Sequence, residues 1–178
     1  MRRMKYTRCQ KSAYHEAGHA VAAMRREVPF EFVYIFDCES KAGPTSGHHF
    51  GGAVQFPIGI VDALAQSRNE TAMLIALSAI AANKELQPWH SYCAHVFAHG
   101  LGDIEVAKLI AEKGPHASDA GEYIDKFLMG PARAFVKKEW PSIVAIAEAL
   151  IASPNHRFSY SDCCNLIGIG DATEAKCA

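Results

Sequence analysis

Between Ala72 and Ala82 the chain runs for eleven residues without a charge, and only Ser78 interrupts its apolar character. A helix that crosses a bilayer needs about 20 apolar residues, so this run is too short to span one. It reads instead as a helix buried on every side, which obliges the rest of the chain to pack around it. The chain's 178 residues suit one compact domain, residues 1–178, and are rather few for two. With 49% hydrophobic and 21% charged residues, the composition is that of an ordinary water-soluble globular chain. A formal net charge of -1 points neither to nucleic acid nor to an anionic membrane. The basic residues Arg2, Arg3, Lys5 and Arg8 form too short a cluster to alter that, and read as a solvated end.

Hydrophobic periodicity places the other elements around that helix. Ala13, Ala17, Ala20, Val21 and Met24 recur at helical spacing, which predicts a helix from Thr7 to Arg26 that stops at Val28-Pro29. Phe30 to Asp37 is rich in aromatic and β-branched residues and predicts a strand. A loop over Lys41 to Gly47 leads to a second short strand, Gly51 to Phe56, closed by Pro57. From there the pattern is helical: Ile60 to Leu86 as one helix or two, Asp103 to Lys113, Ala117 to Met129 ending at Gly130-Pro131, and Ala132 to Ala152 broken at Trp140-Pro141. A last short helix covers Ser161 to Ile167. The expected class is mainly α (α+β), with a small sheet or hairpin near the N-terminus. No internal repeat is visible.

Cys9, Cys38, Cys93, Cys163, Cys164 and Cys177 show no C-x-x-C spacing, and no apolar stretch follows the basic N-terminus. Both facts lead to an expectation of free thiols in a reducing cytoplasm. The adjacent Cys163 and Cys164 read as small core residues in preference to a metal or redox pair.

Chemistry enters at His15-Glu16-Ala17-Gly18-His19, an H-E-x-x-H. Residues four apart on a helix share one face about 6 Å apart along the axis, so two imidazoles can reach a single Zn²⁺. Glu16, turned about 100° around the helix, falls beside the metal, where it can take a proton from water activated by the ion. Small neighbours (Ala13, Ala17, Ala20) favour a closely packed helix over one facing solvent. Gly18 costs about 1 kcal/mol relative to Ala inside a helix, which implies the close approach of another element.

A catalytic zinc takes three protein ligands and leaves one position open. Ala22 and Arg25 stand where a metzincin pattern would need Gly and His, so that arrangement fails. Glu39 has the distance of a thermolysin-type ligand but sits in a strand-and-loop segment. The remaining candidates are Glu85, His90, His95, His99, Asp103 and Glu105. Asp103 follows His99-Gly100-Leu101-Gly102 near a helix start. There it serves equally well as a ligand or as an N-terminal cap.

The motif in its full form, His15 to Val21, resembles that of the protease domain of FtsH-type ATP-dependent zinc metalloproteases. Gly51-Gly52-Ala53-Val54, Gly102-Asp103-Ile104-Glu105-Val106-Ala107 and the late helix from Trp140 to Leu150 are similar to further family segments. The resemblance implies a helical metalloprotease domain that binds Zn²⁺ through His15, His19 and Asp103. It also implies Glu16 as catalytic base, and hydrolysis of peptide bonds in peptide or unfolded protein substrates. The sequence departs from the family in several places, among them the lack of a membrane anchor and His99 standing before Asp103 where the family has a small residue. It contains no G-x-x-x-x-G-K-[ST], hence no ATPase module on this chain. The family's Ala-Glu pair is missing from the helix before the Asp segment, where Ala76 to Asn83 stands instead. His95 and His99 read as satisfied polar groups more readily than as supports of the site. The strand from Phe50 to Phe56 is the candidate edge for adding an extended substrate. Partners expected are the substrate and a further copy of the chain, with neither nucleic acid nor membrane. The alternative is a catalytically inactive zinc-binding adaptor or regulatory domain. A peptidase acting on a single partner such as a repressor is a third reading.

Overall fold

The computed structural model describes residues 6–36, 51–90 and 101–169, apart from the side chain of Leu101. It is mainly helical, with a small antiparallel sheet of three strands. In chain order the elements are α1 (Arg8–Arg25), β1 (Phe32–Ile35), β2 (Gly52–Gln55), α2 (Ile60–Ser67), α3 (Asn69–Leu86) and α4 (Leu101–Glu112). A 3-10 turn (Ala117–Asp119), α5 (Ala120–Phe127), a π-helical turn (Leu128–Ala132), α6 (Arg133–Ala152), β3 (Arg157–Ser159) and α7 (Tyr160–Leu166) complete them. Cys38, Cys93, Cys177, the loop from Lys41 to Gly47, Glu39, His95 and His99 lie outside the described residues.

The apolar run becomes the middle of α3, and every residue from Thr71 to Asn83 is buried. Met73, Leu74, Leu77 and Ile80 are each at most 2% exposed, and burial of a side chain of that size contributes about 2 kcal/mol. Ser78, the one polar residue in the run, donates its hydroxyl to the Leu74 carbonyl one turn back at 2.6 Å. That bond removes the cost of an unsatisfied buried hydroxyl. α1, α4 and α6 pack around this axis.

α1 is closed at both ends by local chemistry. Thr7 Oγ1 accepts from the Gln10 amide at 3.1 Å, and Gln10 Oε1 accepts from the Thr7 amide at 2.9 Å, a reciprocal capping box. At the other end the amides of Glu27 and Val28 donate to Met24 and Ala23 carbonyls at 3.1 and 2.9 Å, with Glu27 at φ 54. This Schellman-type ending, with buried Val28 as its apolar anchor, stops the helix before Pro29 does.

Among the described residues the sheet order is β2-β1-β3, which puts β2 on an edge. β1 and β2 pair Phe32 with Gln55 and Ile35 with Gly52. β3, pairing Phe32 with Ser159 and Tyr34 with Arg157, is absent from the sequence-based expectation. Three residues are too short to show a period of two, and the strand is defined by its partner.

Of the two arrangements expected for Ile60 to Leu86, one helix or two, the chain adopts two, separated at Arg68 (φ −140, ψ 55). The Asn69 side chain ties that junction down by donating to the Ala65 and Ile110 carbonyls at 3.0 and 2.6 Å. The helix does not stop at Gly130-Pro131: a π-helical turn absorbs Pro131 and leads directly into α6. Nor does Pro141 break α6, which runs unbroken from Arg133 to Ala152. Val136 on one side of Pro141 and Ile143, Ile146, Ala147 and Leu150 on the other are buried in the same core, and this shared packing outweighs one missing helical hydrogen bond. Cys9 is disulfide-bonded, contrary to the expectation of free thiols, because pairing depends on tertiary proximity and not on spacing. Cys163 and Cys164 are free and buried, and burial raises the Cys163 thiol pKa to about 12.

The close approach expected at Gly18 is to the backbone of α3. A Cβ at this position would lie 2.9 Å from both the Ala79 Cα and the Ser78 carbonyl oxygen. Since neither backbone atom can swing aside, Gly18→Ala is expected to cost about 1–3 kcal/mol from overpacking, more than the helix propensity it gains. For a domain of this size that lowers Tm by roughly 5 °C, read by thermal unfolding; an unchanged or raised Tm would contradict the contact.

Candidate metal centre

α1 presents His15, Glu16 and His19 toward α4, and α4 presents Asp103 from its first turn. His15 Nε2 lies 3.0 Å from Asp103 Oδ2, and His19 Nε2 lies 3.3 Å from Asp103 Oδ1. The candidate ligand atoms of these three residues all fall within 4.8 Å of one another. His15 and His19 therefore share a face as their spacing requires, and Asp103 joins them from some eighty positions downstream. Among the described residues this is the group able to hold a metal ion; Glu85, His90 and Glu105 are not part of it. Arg25, at the position a metzincin ligand would take, instead donates to Glu139 of α6 at 2.8 Å.

Each imidazole is held from behind by α3. His19 Nδ1 lies 2.7 Å from the Ile75 carbonyl oxygen. A carbonyl only accepts, so Nδ1 carries a proton, and Nε2 is the ring nitrogen turned toward Asp103. His15 Nδ1 lies 3.1 Å from the side-chain amide of Asn83, itself 1% exposed. Sequence reasoning did not single out Ile75 or Asn83. A main-chain carbonyl leaves no signature in side-chain identity, and Asn83 registered only as the lack of a glutamate.

The electrostatics follow from burial and proximity. Burial alone would lower the His19 pKa, yet the Asp103 carboxylate, Glu16 and the Ile75 carbonyl together raise it to about 9. Burial alone would raise that of Asp103, and the imidazoles of His19 and His15 hold it well below the usual carboxylate range. Burial pushes the Glu16 carboxyl up; His15 and His19 offset this in part, and Asp103 adds to it. Glu16 is thus a 4% exposed carboxyl whose proton is held more tightly than in water.

The donor set suits a divalent cation. Two imidazole nitrogens and one carboxylate converge, and Asp103 Oδ2 is buried without a hydrogen-bond partner despite its nearness to His15. A cation between them would engage that orphaned oxygen and both Nε2 atoms. Nitrogen and oxygen donors of this kind suit zinc, and also other first-row divalent ions.

A cavity of about 290 Å³ opens over the cluster. Its polar end holds His15, Glu16, His19 and Asp103, while Val61, Leu64, Ile75, Val106 and Ile110 form an apolar wall. The edge strand β2 borders it through Gly52, Ala53 and Val54. Gly52 permits this closeness: a Cβ there would meet the Tyr34 carbonyl oxygen at 2.5 Å and Glu16 Cγ at 2.7 Å.

A cation bound here stabilises the folded chain by mass action, by about 2.7 kcal/mol at a hundredfold excess over Kd. Zinc is therefore expected to raise Tm by about 5–10 °C, with chelator reversing the shift and His19→Ala abolishing it. The shift should shrink as pH is lowered, because protons compete for the same nitrogens. An equal zinc shift in His19→Ala would place the metal elsewhere. No protein-family model matches this chain and no curated protein matches it, so its functional reading rests on these residues.

Proposed function

We propose that the chain is a zinc-dependent peptidase domain, similar to the protease domain of FtsH-type enzymes, which hydrolyses peptide bonds in extended substrates. The observation that carries this reading is the convergence of His15, His19 and Asp103 beside a buried Glu16, at the polar end of a cavity bordered by a strand edge. A bound zinc ion would supply Lewis-acid polarisation of the scissile carbonyl and acidify a water molecule.

The chain's own groups account for the remaining steps. Among the described residues no strand pairs with the outer side of β2, whose main-chain groups would pair with an extended peptide and lay it across the cavity. The apolar wall excludes water and accepts a nonpolar side chain next to the reacting bond. Glu16 accepts a proton from the attacking water and delivers it to the leaving amine. Burial suits it to that exchange by bringing its proton affinity nearer to that of the groups it serves. Asp103 and the two imidazoles stay fixed throughout, the rings anchored through their Nδ1 atoms to α3.

An inactive zinc-binding adaptor is the alternative. Structural zinc sites need no base, whereas among the described residues three candidate ligands and a separate buried carboxyl line this cavity. That difference favours the peptidase. The substrate class is short peptides, loops or unfolded segments. Among the described residues, no helix is long and apolar enough to cross a membrane.

Glu16→Gln keeps the shape of the side chain and removes the base. It is expected to bind zinc as the parent does and to lose about 10²–10⁴-fold in cleavage of a quenched peptide library, a readout that chelator also abolishes in the parent. Equal turnover in the variant would end the proposed mechanism. Bound zinc with no turnover on any peptide would favour the adaptor.

A further inference from the structure

The apolar wall of the cavity does not end inside it. Val106 and Leu109 of α4, and Lys113 in the turn that closes it, follow one another at steps of four and three, so they lie along one side of that helix. Both ends of this row are fixed by what they meet. Val106 lines the cavity, and Lys113 Nζ reaches Asp62 Oδ1 of α2 at 2.5 Å. The row therefore faces α2, and Leu109 sits between the cavity wall and the ion pair. From the other side α2 contributes Val61, which lines the cavity next to Asp62. Ile58 stands three residues earlier, in the turn that opens α2. These side chains remain wet: Val61 is 39% exposed, Val106 40%, Leu109 57%, and Ile58 fully. An apolar strip thus leaves the cavity mouth and runs along the seam between α2 and α4.

We propose that this strip is a second recognition surface, which takes a further apolar side chain of the segment whose first one fills the cavity. The proposal rests on the peptidase reading and narrows its substrate class to extended segments with apolar residues at alternate positions. Continuity with the cavity identifies the occupant. A segment with one side chain in the cavity must pass its mouth, where Val61 and Val106 are part wall and part surface. In an extended segment, residues two apart point the same way at about 6.6 Å spacing. Val106 and Leu109 are about 4.5 Å apart along the helix axis, so the next side chain on that face comes within reach of Leu109. An apolar side chain there leaves water together with the strip it covers. A polar one loses its hydration, and the strip offers no hydrogen bond in return. Asp62 and Lys113 neutralise each other beside it, so no net charge of that pair draws a charged side chain instead.

The test uses two fluorescent peptides that share a central Phe. One carries Leu two residues to either side of it, and the other carries Ser at both places. Their affinities for the wild-type chain are measured by anisotropy with chelator present, so that no turnover intervenes. The Leu peptide is expected to bind about tenfold more tightly. In the double variant Ile58→Ser/Leu109→Ser that preference should vanish, while Met129→Ser, equally exposed but outside the cavity lining, should keep it. The readout is a ratio within each protein, so a change in folded fraction does not move it. With zinc, quenched forms of the peptides should show the same preference in KM with little change in kcat. The proposal is overturned if the wild-type chain does not distinguish the peptides, if the double variant still does, or if Met129→Ser loses the preference as well. If binding follows the expected pattern and neither peptide is cleaved with zinc, the peptidase reading fails and the apolar recognition surface stands.

Discussion

The contact between α1 and α3 at Gly18 governs the rest of the molecule. Without a side chain at this position the two helix backbones come within van der Waals reach, at Ser78 and Ala79. The helices run antiparallel through the contact, and the consequence spreads along both. One step toward the C-terminus of α1, His19 meets the Ile75 carbonyl; one turn toward its N-terminus, His15 meets Asn83. A single close crossing thus sets both imidazoles against rigid partners on the most deeply buried helix of the protein. Packed backbones and buried side chains are stiff, and ligand positions derived from them vary little.

Electrostatics then bind the remaining element. Asp103 reaches the imidazoles from α4, and its acidity and the basicity of His19 move in opposite directions because each stabilises the charged form of the other. Glu16 shares their burial but not their pairing, and its carboxyl moves the other way from that of Asp103. Two carboxyl groups within one cavity are driven apart in proton affinity by their surroundings, a division of labour that acid–base chemistry uses. The proposed peptidase activity draws on this difference: Asp103 holds charge, and Glu16 moves a proton.

The small sheet bears on the site through one position. Gly52 lets the edge strand pass over Glu16 with no side chain intervening, and the next residues continue along the rim of the cavity. β1 in the middle of the sheet is paired on both sides, by β2 and by the short β3, which gives the edge a stable platform.

Sequence alone determined the elements whose causes are local. The helical spacing of alanines, the capping residues at Thr7 and the aromatic run into Ile35 each place an element within a few residues of where it is found. The positions of His15, Glu16 and His19 on one helix follow from their spacing, since 3.6 residues per turn is a property of the backbone. On spacing Asp103 reads equally as ligand or as cap, and only the resemblance favours the ligand, because the choice depends on what stands opposite the helix start. What only the tertiary structure decided was of that kind throughout. Pro131 and Pro141 failed to end helices because a common core holds both sides of each. β3 exists because β1 lies beside it, and Cys9 is paired because of proximity. Asn83, apparently a polar residue at the end of an apolar helix, gained its meaning from His15, sixty-eight positions away. Spacing encodes what neighbours along a chain can share, and the partners that set tautomers, proton affinities and strand pairing are neighbours only in space.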